Sequence, residues 1–230
     1  MSPLNISSNL FITFILTNMY HRLNKSQDSM NINDIYKDVK EINPNILKHK
    51  LPTSIYNELK NCIKHTDKIR KNKLSCLLEH YNVGNNAYQV SLPFKLIENS
   101  FLQSYLIYLG EYYRCKYENL SFKHTQRTVR LRRNQDHFDS YDIWVNYTEK
   151  GSVNNLHHHS GNLSGVIYYT DNRGSPIYFE NGFSYKAKKG DIILFPSNFK
   201  HGVSNHQNNK TRITVAFNLY FSQSSRANPT

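Results

Sequence analysis

The sequence contains few cysteines, and this scarcity excludes a fold stapled by disulfide bonds. Cys62, Cys76 and Cys115 are an odd number, and no two of them form a C-x-x-C pair. Such a set predicts free thiols in a reducing compartment rather than a disulfide framework. None of the three lies near the histidines of the C-terminal third, so we do not expect them to bind a metal.

The sequence also lacks a long apolar run. The run from Leu10 to Leu16 is too short to cross a bilayer, which takes about 20 residues. A basic segment does not precede it, and a clear small-residue cleavage site does not follow it, which disfavours a signal peptide. We therefore expect a cytoplasmic protein that does not use a membrane as a partner.

Acidic side chains are the third shortage. The chain has 17 Asp and Glu against 29 Lys and Arg, which gives a net charge of +12. This excess favours anionic partners such as nucleic acid, an acidic protein or a small dicarboxylate, although a solvated lysine-rich surface has the same composition. The basic stretch Arg127–Arg133 lacks interleaved aromatic side chains that would stack on bases, so nucleic acid is not the favoured partner. A homodimer is left open.

The 230 residues suffice for one well-buried core, and the texture of the sequence divides them into four parts. Helical spacing of apolar residues dominates the first half, and short extended runs separated by Asn, Gly and Ser follow Leu120. This order predicts an α+β fold in which helices pack on a sheet. The predicted parts are an N-terminal extension or poorly ordered arm (1–33), a helical support region (34–120), a β core (121–222) and a tail (223–230).

Three stretches of the helical support region have apolar residues at helical spacing. The first covers residues 34–43. The second follows Pro52, with Thr53 or Ser54 available as its N-cap, and the third begins at Leu92-Pro93-Phe94. The many tyrosines of this region are expected to pack in the core.

Two stretches of the β core alternate between faces as strands do. In Tyr141–Asn146, the side chains of Trp144 and Asn146 share one face. In the second stretch, the polar and small face consists of Arg212, Thr214, Ala216 and Asn218. Such a face suits the lining of a cavity better than a dry core. The arginine at its edge can bind both oxygens of a carboxylate, because its guanidinium is a planar fork.

Three histidines give the β core its chemistry. His157 and His159 are two residues apart in an extended stretch, so both point to one face while His158 points to the other. A second stretch, Lys189–Pro196, leads into a turn that ends at His201. Three imidazoles from two strands suit a divalent transition metal with open coordination positions. A run of three histidines is also typical of a solvated loop, but its conjunction with the distant histidine favours the metal site.

The β core contains five short motifs that can be compared with known families. They are Trp144-Val145-Asn146, Asn154-x-x-His157-x-His159, Leu163 to Tyr169, Gly190 to His201, and Arg212 to Asn218. Their order and spacing resemble the 2-oxoglutarate- and Fe(II)-dependent oxygenase family common in phages and marine bacteria. The resemblance implies a double-stranded β-helix, or jelly roll, with the metal at one mouth. It also implies that His157, His159 and His201 hold the iron, and that Arg212 pairs with the distal carboxylate of 2-oxoglutarate.

The resemblance implies an enzyme that uses Fe(II), 2-oxoglutarate and O2 to hydroxylate an unidentified substrate, either a small molecule or a residue of a peptide or protein. Similarity to the related prolyl hydroxylases implies that Tyr169 hydrogen-bonds the same carboxylate as Arg212. On this interpretation Trp144 contacts the substrate, and Asn146 and Asn218 line the adjoining part of the cofactor site.

His159 departs from the pattern of the wider superfamily. The corresponding position there is Asp or Glu, and the metal has two histidines and one carboxylate as ligands. Either this chain works with three histidines, or a carboxylate from elsewhere joins the metal. The candidates for that carboxylate are Asp139, Asp142 and Glu180.

Two alternative interpretations stay open. Gly151 before His157, and Gly190 before His201, resemble the two cupin motifs, which predicts a three-histidine dioxygenase that uses O2 without 2-oxoglutarate. The chain lacks the glutamate of the first cupin motif. The other alternative is a barrel that keeps a metal without catalysis, which predicts a closed four-ligand site.

Overall fold

The computed structural model describes residues 38–72, 78–79, 87–118, 129–132 and 140–222. The chain divides between Val39 and Lys40, and every described helix and strand belongs to the unit that begins at Lys40. The predicted arm (1–33) and tail (223–230) lie outside the described residues, so both stay predictions.

The described residues form thirteen strands and three helices. The strands that precede the predicted β core are β1 (Lys40–Asn43), β2 (Ile46–Lys50), β3 (Leu78–Glu79) and β4 (Ala87–Pro93). The helices are α1 (Thr53–Lys71), α2 (Phe94–Ile97) and α3 (Phe101–Tyr117). The remaining strands are β5 (Val129–Arg130), β6 (Ser140–Thr148), β7 (Asn154–His157), β8 (Leu163–Tyr168), β9 (Ile177–Phe179), β10 (Ser184–Tyr185), β11 (Asp191–Pro196), β12 (His201–Val203) and β13 (Arg212–Phe221).

The strands pair into two antiparallel sheets. The large sheet has the order β1-β2-β11-β8-β13-β6-β4-β3, with β5 beside β13, and the small sheet has the order β10-β9-β12-β7. Most neighbouring strands, such as β2 and β11, β8 and β13, and β7 and β12, come from distant parts of the chain, which is the connectivity of a jelly roll rather than of a simple meander. The predicted α+β jelly roll is therefore confirmed.

The large sheet packs against a helix on one face and lines a cavity with the other. On β6, the Tyr147 hydroxyl hydrogen-bonds the Ile63 carbonyl oxygen at 3.1 Å and Thr66 Oγ1 at 2.8 Å, and both partners belong to α1. Trp144 and Asn146 of the same strand line the cavity. The predicted alternation of this strand is confirmed: Tyr147 faces the helix, and the side chains of Trp144 and Asn146 face the cavity.

The predicted helix over residues 34–43 is wrong in the part that is described. Lys40–Asn43 forms β1, and a turn through Asn45, whose φ is 62°, leads into β2. β2 pairs with β11, where Leu47 is opposite Leu194. Hydrogen bonds to a distant strand and burial in the sheet override helical spacing, which is only a local signal. The predicted helical support region thus also contributes β1, β2, β3 and β4 to the large sheet.

The other two predicted helices exist, with different ends. The apolar stripe of α1 is buried as predicted, but its N-cap is Pro52, so the predicted capping bond from Thr53 or Ser54 is wrong. The third predicted helix is interrupted at Asn99, whose φ is 59°, and continues as α3 with Ser100 as its side-chain cap. No helix in the described part of the chain is both long and apolar enough to cross a membrane.

Candidate metal centre

The three predicted histidines meet at one end of the cavity. His157 is the last residue of β7 and His201 the first of β12, and the two are opposite each other in the antiparallel ladder. The main-chain N–H of His159 donates to the Ser197 carbonyl oxygen at 3.0 Å, which holds this residue beside the end of β11. One ligand atom of each histidine lies within 4.8 Å of the others, so a single metal ion can contact all three rings.

Gly202 explains how β12 fits between its neighbours. A Cβ atom at this position would lie 2.6 Å from the Asn154 carbonyl oxygen on β7 and 2.6 Å from the Tyr178 hydroxyl on β9. The missing side chain therefore allows the close approach that brings His201 beside His157.

Hydrogen bonds fix the tautomer of two of the three rings. His157 Nδ1 lies 2.7 Å from the Asn155 carbonyl oxygen, and His201 Nδ1 lies 2.9 Å from the Phe199 carbonyl oxygen. Because a carbonyl oxygen can only accept a hydrogen bond, Nδ1 of each ring carries the proton. The lone pair of each Nε2 is thereby left for a metal.

Burial keeps two of the imidazoles neutral. Burial, reinforced by the neighbouring histidines, lowers the pKa of His159 to about 3. Burial also lowers the pKa of His201 to about 4. Only a neutral imidazole binds a metal, so at neutral pH neither ring has to be deprotonated before it binds one.

Within the described residues, the cluster consists of three histidines and no carboxylate. Asp142 accepts a hydrogen bond from Asn218 Nδ2 at 3.0 Å and another from a tyrosine hydroxyl at 2.8 Å. Glu180 forms an exposed ion pair with Lys200 at 3.0 Å. Asp139 lies outside the described residues. Two of the three candidate carboxylates are therefore engaged elsewhere, and the described site is the three-histidine form.

One wall of the cavity is a ladder of residue pairs on β6 and β13. The pairs, in order along the strands, are Trp144–Ala216, Asn146–Thr214 and Thr148–Arg212. The His159 ring lies 5.5 Å from the Trp144 ring, so the first pair adjoins the metal end. Arg212 consequently lies toward the other end. The cavity holds about 700 Å³ of empty space, its open mouth included.

Arg212 brings a positive charge into this cavity. The residue is 5% exposed, and its Nε has no hydrogen-bond partner. No carboxylate among the described residues forms an ion pair with it. Burial lowers the pKa of Arg212 to about 10, so the guanidinium stays charged at neutral pH. A buried cation without a counter-charge is unfavourable, so the site fits a ligand that supplies a carboxylate.

The structure turns Tyr169 away from the cavity. β8 ends at Tyr168, which is opposite Thr214 and lines the cavity. Tyr169 stacks instead on Tyr56 of α1, with ring centroids 5.0 Å apart. Successive residues of an extended chain point to opposite faces, so the structure places Tyr169 outside the cavity lining and Tyr168 on the cavity side.

The other three predicted site residues, Trp144, Asn146 and Asn218, line the cavity. Trp144 Nε1 is buried and has no hydrogen-bond partner, so a donor is left for a ligand. Asn146 Nδ2 donates to a threonine hydroxyl of β13 at 3.3 Å. Asn218 accepts from Ser164 Oγ at 2.7 Å and donates to Asp142 at 3.0 Å. Its amide thus links β13 to both neighbouring strands, β8 and β6, through hydrogen bonds.

Gln89 and Asn172 also line the cavity, and sequence analysis did not identify them. Gln89 lies on β4 directly opposite Asn146, a pairing between distant segments that no local pattern reveals. Asn172 lies in the connection after β8 and is buried with neither polar side-chain atom paired. A polar residue in a connection normally predicts exposure, so the sequence carries no signal for its position.

Residues 177–218 match a family model described as "Putative 2OG-Fe(II) oxygenase". No curated protein matches the chain.

A 2OG-Fe(II) oxygenase family oxidoreductase from Burkholderia pseudomallei is similar in structure, with 15% identity, 70% of this chain and 81% of that chain covered, and a TM-score of 0.42. HygX from Streptomyces hygroscopicus was solved with nickel, 2-oxoglutarate and hygromycin B bound. It is 11% identical to this chain, the match covers 78% of this chain and 84% of HygX, and the TM-score is 0.47. A Pseudomonas putida prolyl-4-hydroxylase has 11% identity, 77% and 91% coverage and a TM-score of 0.45. Similarities at this level assign no role to any residue.

The matched segment contains two of the four residues that the resemblance assigns to the metal and the distal carboxylate. It runs from Ile177 in β9 to Asn218 in β13, so it includes His201 and Arg212, while the other two histidines precede it. The jelly-roll sheets and the three-histidine cluster agree with what the resemblance implied. Over residues 177–218 the chain is therefore similar to the 2OG-Fe(II) oxygenases.

Proposed function

We propose that His157, His159 and His201 hold Fe(II) and that Arg212 binds the distal carboxylate of 2-oxoglutarate. The observation that carries this proposal is the buried guanidinium of Arg212, which has no carboxylate partner among the described residues and lines the same cavity as the three imidazoles. A cavity with a metal site at one end and a lone buried cation toward the other fits a small dicarboxylate.

The spacing along β13 supports this arrangement. Ala216, next to the metal end, is four residues from Arg212, which corresponds to about 13 Å of extended strand. The arginine side chain covers part of that distance, and the remainder suits a five-carbon acid. Tyr168 lies opposite Thr214, which is midway between Arg212 and Ala216 on β13. Burial raises the pKa of Tyr168, so its hydroxyl stays protonated and can donate to an anion.

When bound, iron and 2-oxoglutarate supply the oxidative chemistry: O2 is consumed, 2-oxoglutarate becomes succinate and CO2, and one oxygen atom enters the substrate. The chain itself positions the reactants and excludes water. The Phe195 ring lies 4.6 Å from the His201 ring, and Trp144 packs on His159. These apolar surfaces flank the metal end, and a dry lining strengthens charge interactions inside the cavity.

The three-histidine ligand set makes the charge of the co-substrate more important. Neutral imidazoles leave the full charge of Fe(II) at the site, whereas a carboxylate ligand would offset one unit. 2-Oxoglutarate is a dianion, so its two carboxylates supply negative charge at the metal and at Arg212. The ligand set and the buried arginine thus support the same co-substrate.

We propose a small molecule, or an amino-acid side chain of a peptide, as the substrate. The cavity is lined by apolar and aromatic side chains with polar groups among them, as small-molecule sites are. Trp144 Nε1 offers an unpaired donor, and Gln89 extends the polar lining on the β4 side. A cytoplasmic location belongs to the same proposal, because Cys62 is a free thiol.

The test is succinate formation from 2-oxoglutarate by the purified protein. Since the substrate is unidentified, the assay follows the uncoupled reaction at high protein concentration. We expect succinate when Fe(II), 2-oxoglutarate and O2 are all present, and only background when iron is omitted or replaced by Zn(II), which has no redox chemistry. Consumption of O2 that continues without 2-oxoglutarate would instead favour the cupin-type dioxygenase. Tightly held zinc with no turnover would favour the non-catalytic barrel.

A further inference from the structure

Asn172 is a buried polar residue whose side chain has no partner. The residue is 2% exposed, it lines the cavity, and neither Nδ2 nor Oδ1 forms a hydrogen bond. Nearly all buried polar atoms in proteins are hydrogen-bonded, because an unpaired one loses its hydration without compensation. An unpaired amide in the wall of a ligand cavity therefore points to a group that the ligand supplies.

Asn172 lies on the Arg212 side of the cavity. It belongs to the connection that follows β8, and in that connection the main-chain N–H of Thr170 donates to the Ile213 carbonyl oxygen at 3.2 Å. Ile213 is the neighbour of Arg212 on β13, so the segment that carries Asn172 runs beside the start of that strand. The metal end, marked by the contact between His159 and Trp144, lies two residue pairs away.

The main chain holds Asn172 in place without help from the side chain. Its N–H donates to the Ala187 carbonyl oxygen at 3.1 Å, and its carbonyl oxygen accepts from the Ser175 N–H at 2.9 Å. Because the connection is fixed by these bonds, the side-chain amide is not needed to maintain it.

The neighbouring Ser175 cannot act as the donor instead. His206 Nε2 lies 2.8 Å from the Lys210 carbonyl oxygen and must donate to it, which leaves His206 Nδ1 to accept from the Ser175 hydroxyl at 2.7 Å. The hydroxyl proton of Ser175 is therefore used within the protein. Both N–H bonds of Asn172 Nδ2 are free.

We propose that Asn172 donates a hydrogen bond to the same distal carboxylate that Arg212 binds, and that the pair makes the cavity selective for 2-oxo acids with a second carboxylate. This inference rests on the proposed function. Arg212 supplies the charge and Asn172 a neutral donor, so together they match one carboxylate without adding a second positive charge. A 2-oxo acid without the distal carboxylate, such as 2-oxobutanoate, gains nothing from either residue.

The test is calorimetric binding of 2-oxoglutarate and of 2-oxobutanoate to the Zn(II)-loaded protein, in which no turnover occurs. Asn172→Ala is expected to weaken 2-oxoglutarate binding about 10-fold, the usual effect of losing one hydrogen bond to a charged group, and to leave 2-oxobutanoate binding unchanged. Asn172→Asp keeps the shape and adds a negative charge, so a loss of about 100-fold or more is expected for 2-oxoglutarate. Ser152→Ala is the matched control, because Ser152 Oγ is also buried without a partner but does not line the cavity.

Thermal unfolding separates recognition from a structural role. Since the amide of Asn172 has no partner, Asn172→Ala is expected to keep or raise the Tm of the unliganded protein, and 2-oxoglutarate is expected to raise that Tm less than in the wild type. The inference is overturned if the variant binds 2-oxoglutarate as tightly as the wild type, if both acids weaken equally, or if the unliganded variant unfolds at a lower temperature. A wild-type protein that binds neither acid would overturn the proposed function, and this inference with it.

Discussion

His201→Ala is expected to remove the iron and to lower succinate formation by about 1000-fold or more. Residues that only orient a metal ligand typically contribute about 10- to 100-fold to metal affinity or activity, so the loss of a ligand has a larger effect. His201 is also the buried member of the cluster, paired with His157 across the two strands. The measurements are the iron content after anaerobic loading and the rate of succinate formation.

His158→Ala is the matched control for this experiment. His158 lies in the same run of histidines, but it is exposed and does not belong to the cluster. We expect this variant to retain iron and to form succinate within about 2-fold of the wild type, as surface substitutions usually change little. If His201→Ala kept both its iron and its turnover, the metal would have to be held elsewhere.

Arg212→Ala is expected to raise the KM for 2-oxoglutarate by about 100-fold and to change kcat much less. Removing one partner of a buried charge pair leaves the other charge unpaired, which usually weakens binding by about 2–5 kcal/mol, or roughly 30-fold and upward. The iron content is expected to stay at the wild-type level, because Arg212 does not belong to the histidine cluster. The measurements are the dependence of succinate formation on 2-oxoglutarate and the iron content of the same sample.

Two further variants sharpen this experiment. Arg212→Lys keeps the charge but loses the planar fork, so an intermediate KM, about 10-fold above the wild type, is expected. Arg130→Ala removes an exposed arginine from β5, which pairs with the far end of β13 and lies outside the cavity, and its KM is expected to be unchanged. An Arg212→Ala protein with a wild-type KM would refute the role of the buried guanidinium in binding 2-oxoglutarate.

The sequence predicted which side chains share the cavity face, because alternation along a strand is a local property. Trp144 and Asn146 share the cavity face, and Arg212 lies on the same face as Thr214 and Ala216, as the pattern indicated. Side chains of an extended chain alternate regardless of the strand's partners. The fold could be anticipated for a related reason, since the family motifs span most of the strands that build the cavity.

The features that the sequence did not predict depend on distant pairings or on where a strand ends. β1 and β2 exist because β2 pairs with β11, a partner far along the chain. The choice between Tyr168 and Tyr169 depends on the phase in which β8 pairs with β13. Asn172 is buried and lines the cavity although it lies in a connection between strands, and no periodicity marks such a residue.

His159 belongs to the described cluster of three histidines, while Asp139, one of the three candidate carboxylates, lies outside the described residues. The wider superfamily places a carboxylate at the position of His159, whereas the described cluster is made of three imidazoles, with Asp142 and Glu180 paired to other groups. The low pKa of His159, about 3, follows from burial beside two other histidines. A neutral third ligand would leave a bound iron more positive, which would increase the contribution of an anionic co-substrate.

The most direct measurement of the central claim is an anaerobic titration of the Fe(II)-loaded protein with 2-oxoglutarate, followed by visible absorption. A 2-oxo acid that binds Fe(II) through two oxygens gives a weak visible charge-transfer band. We expect this band to saturate at one equivalent in the wild type and in His158→Ala, and to require about 100-fold more 2-oxoglutarate in Arg212→Ala. A protein that binds Fe(II) but develops no band with 2-oxoglutarate would contradict the conclusion that the histidines and Arg212 form one site.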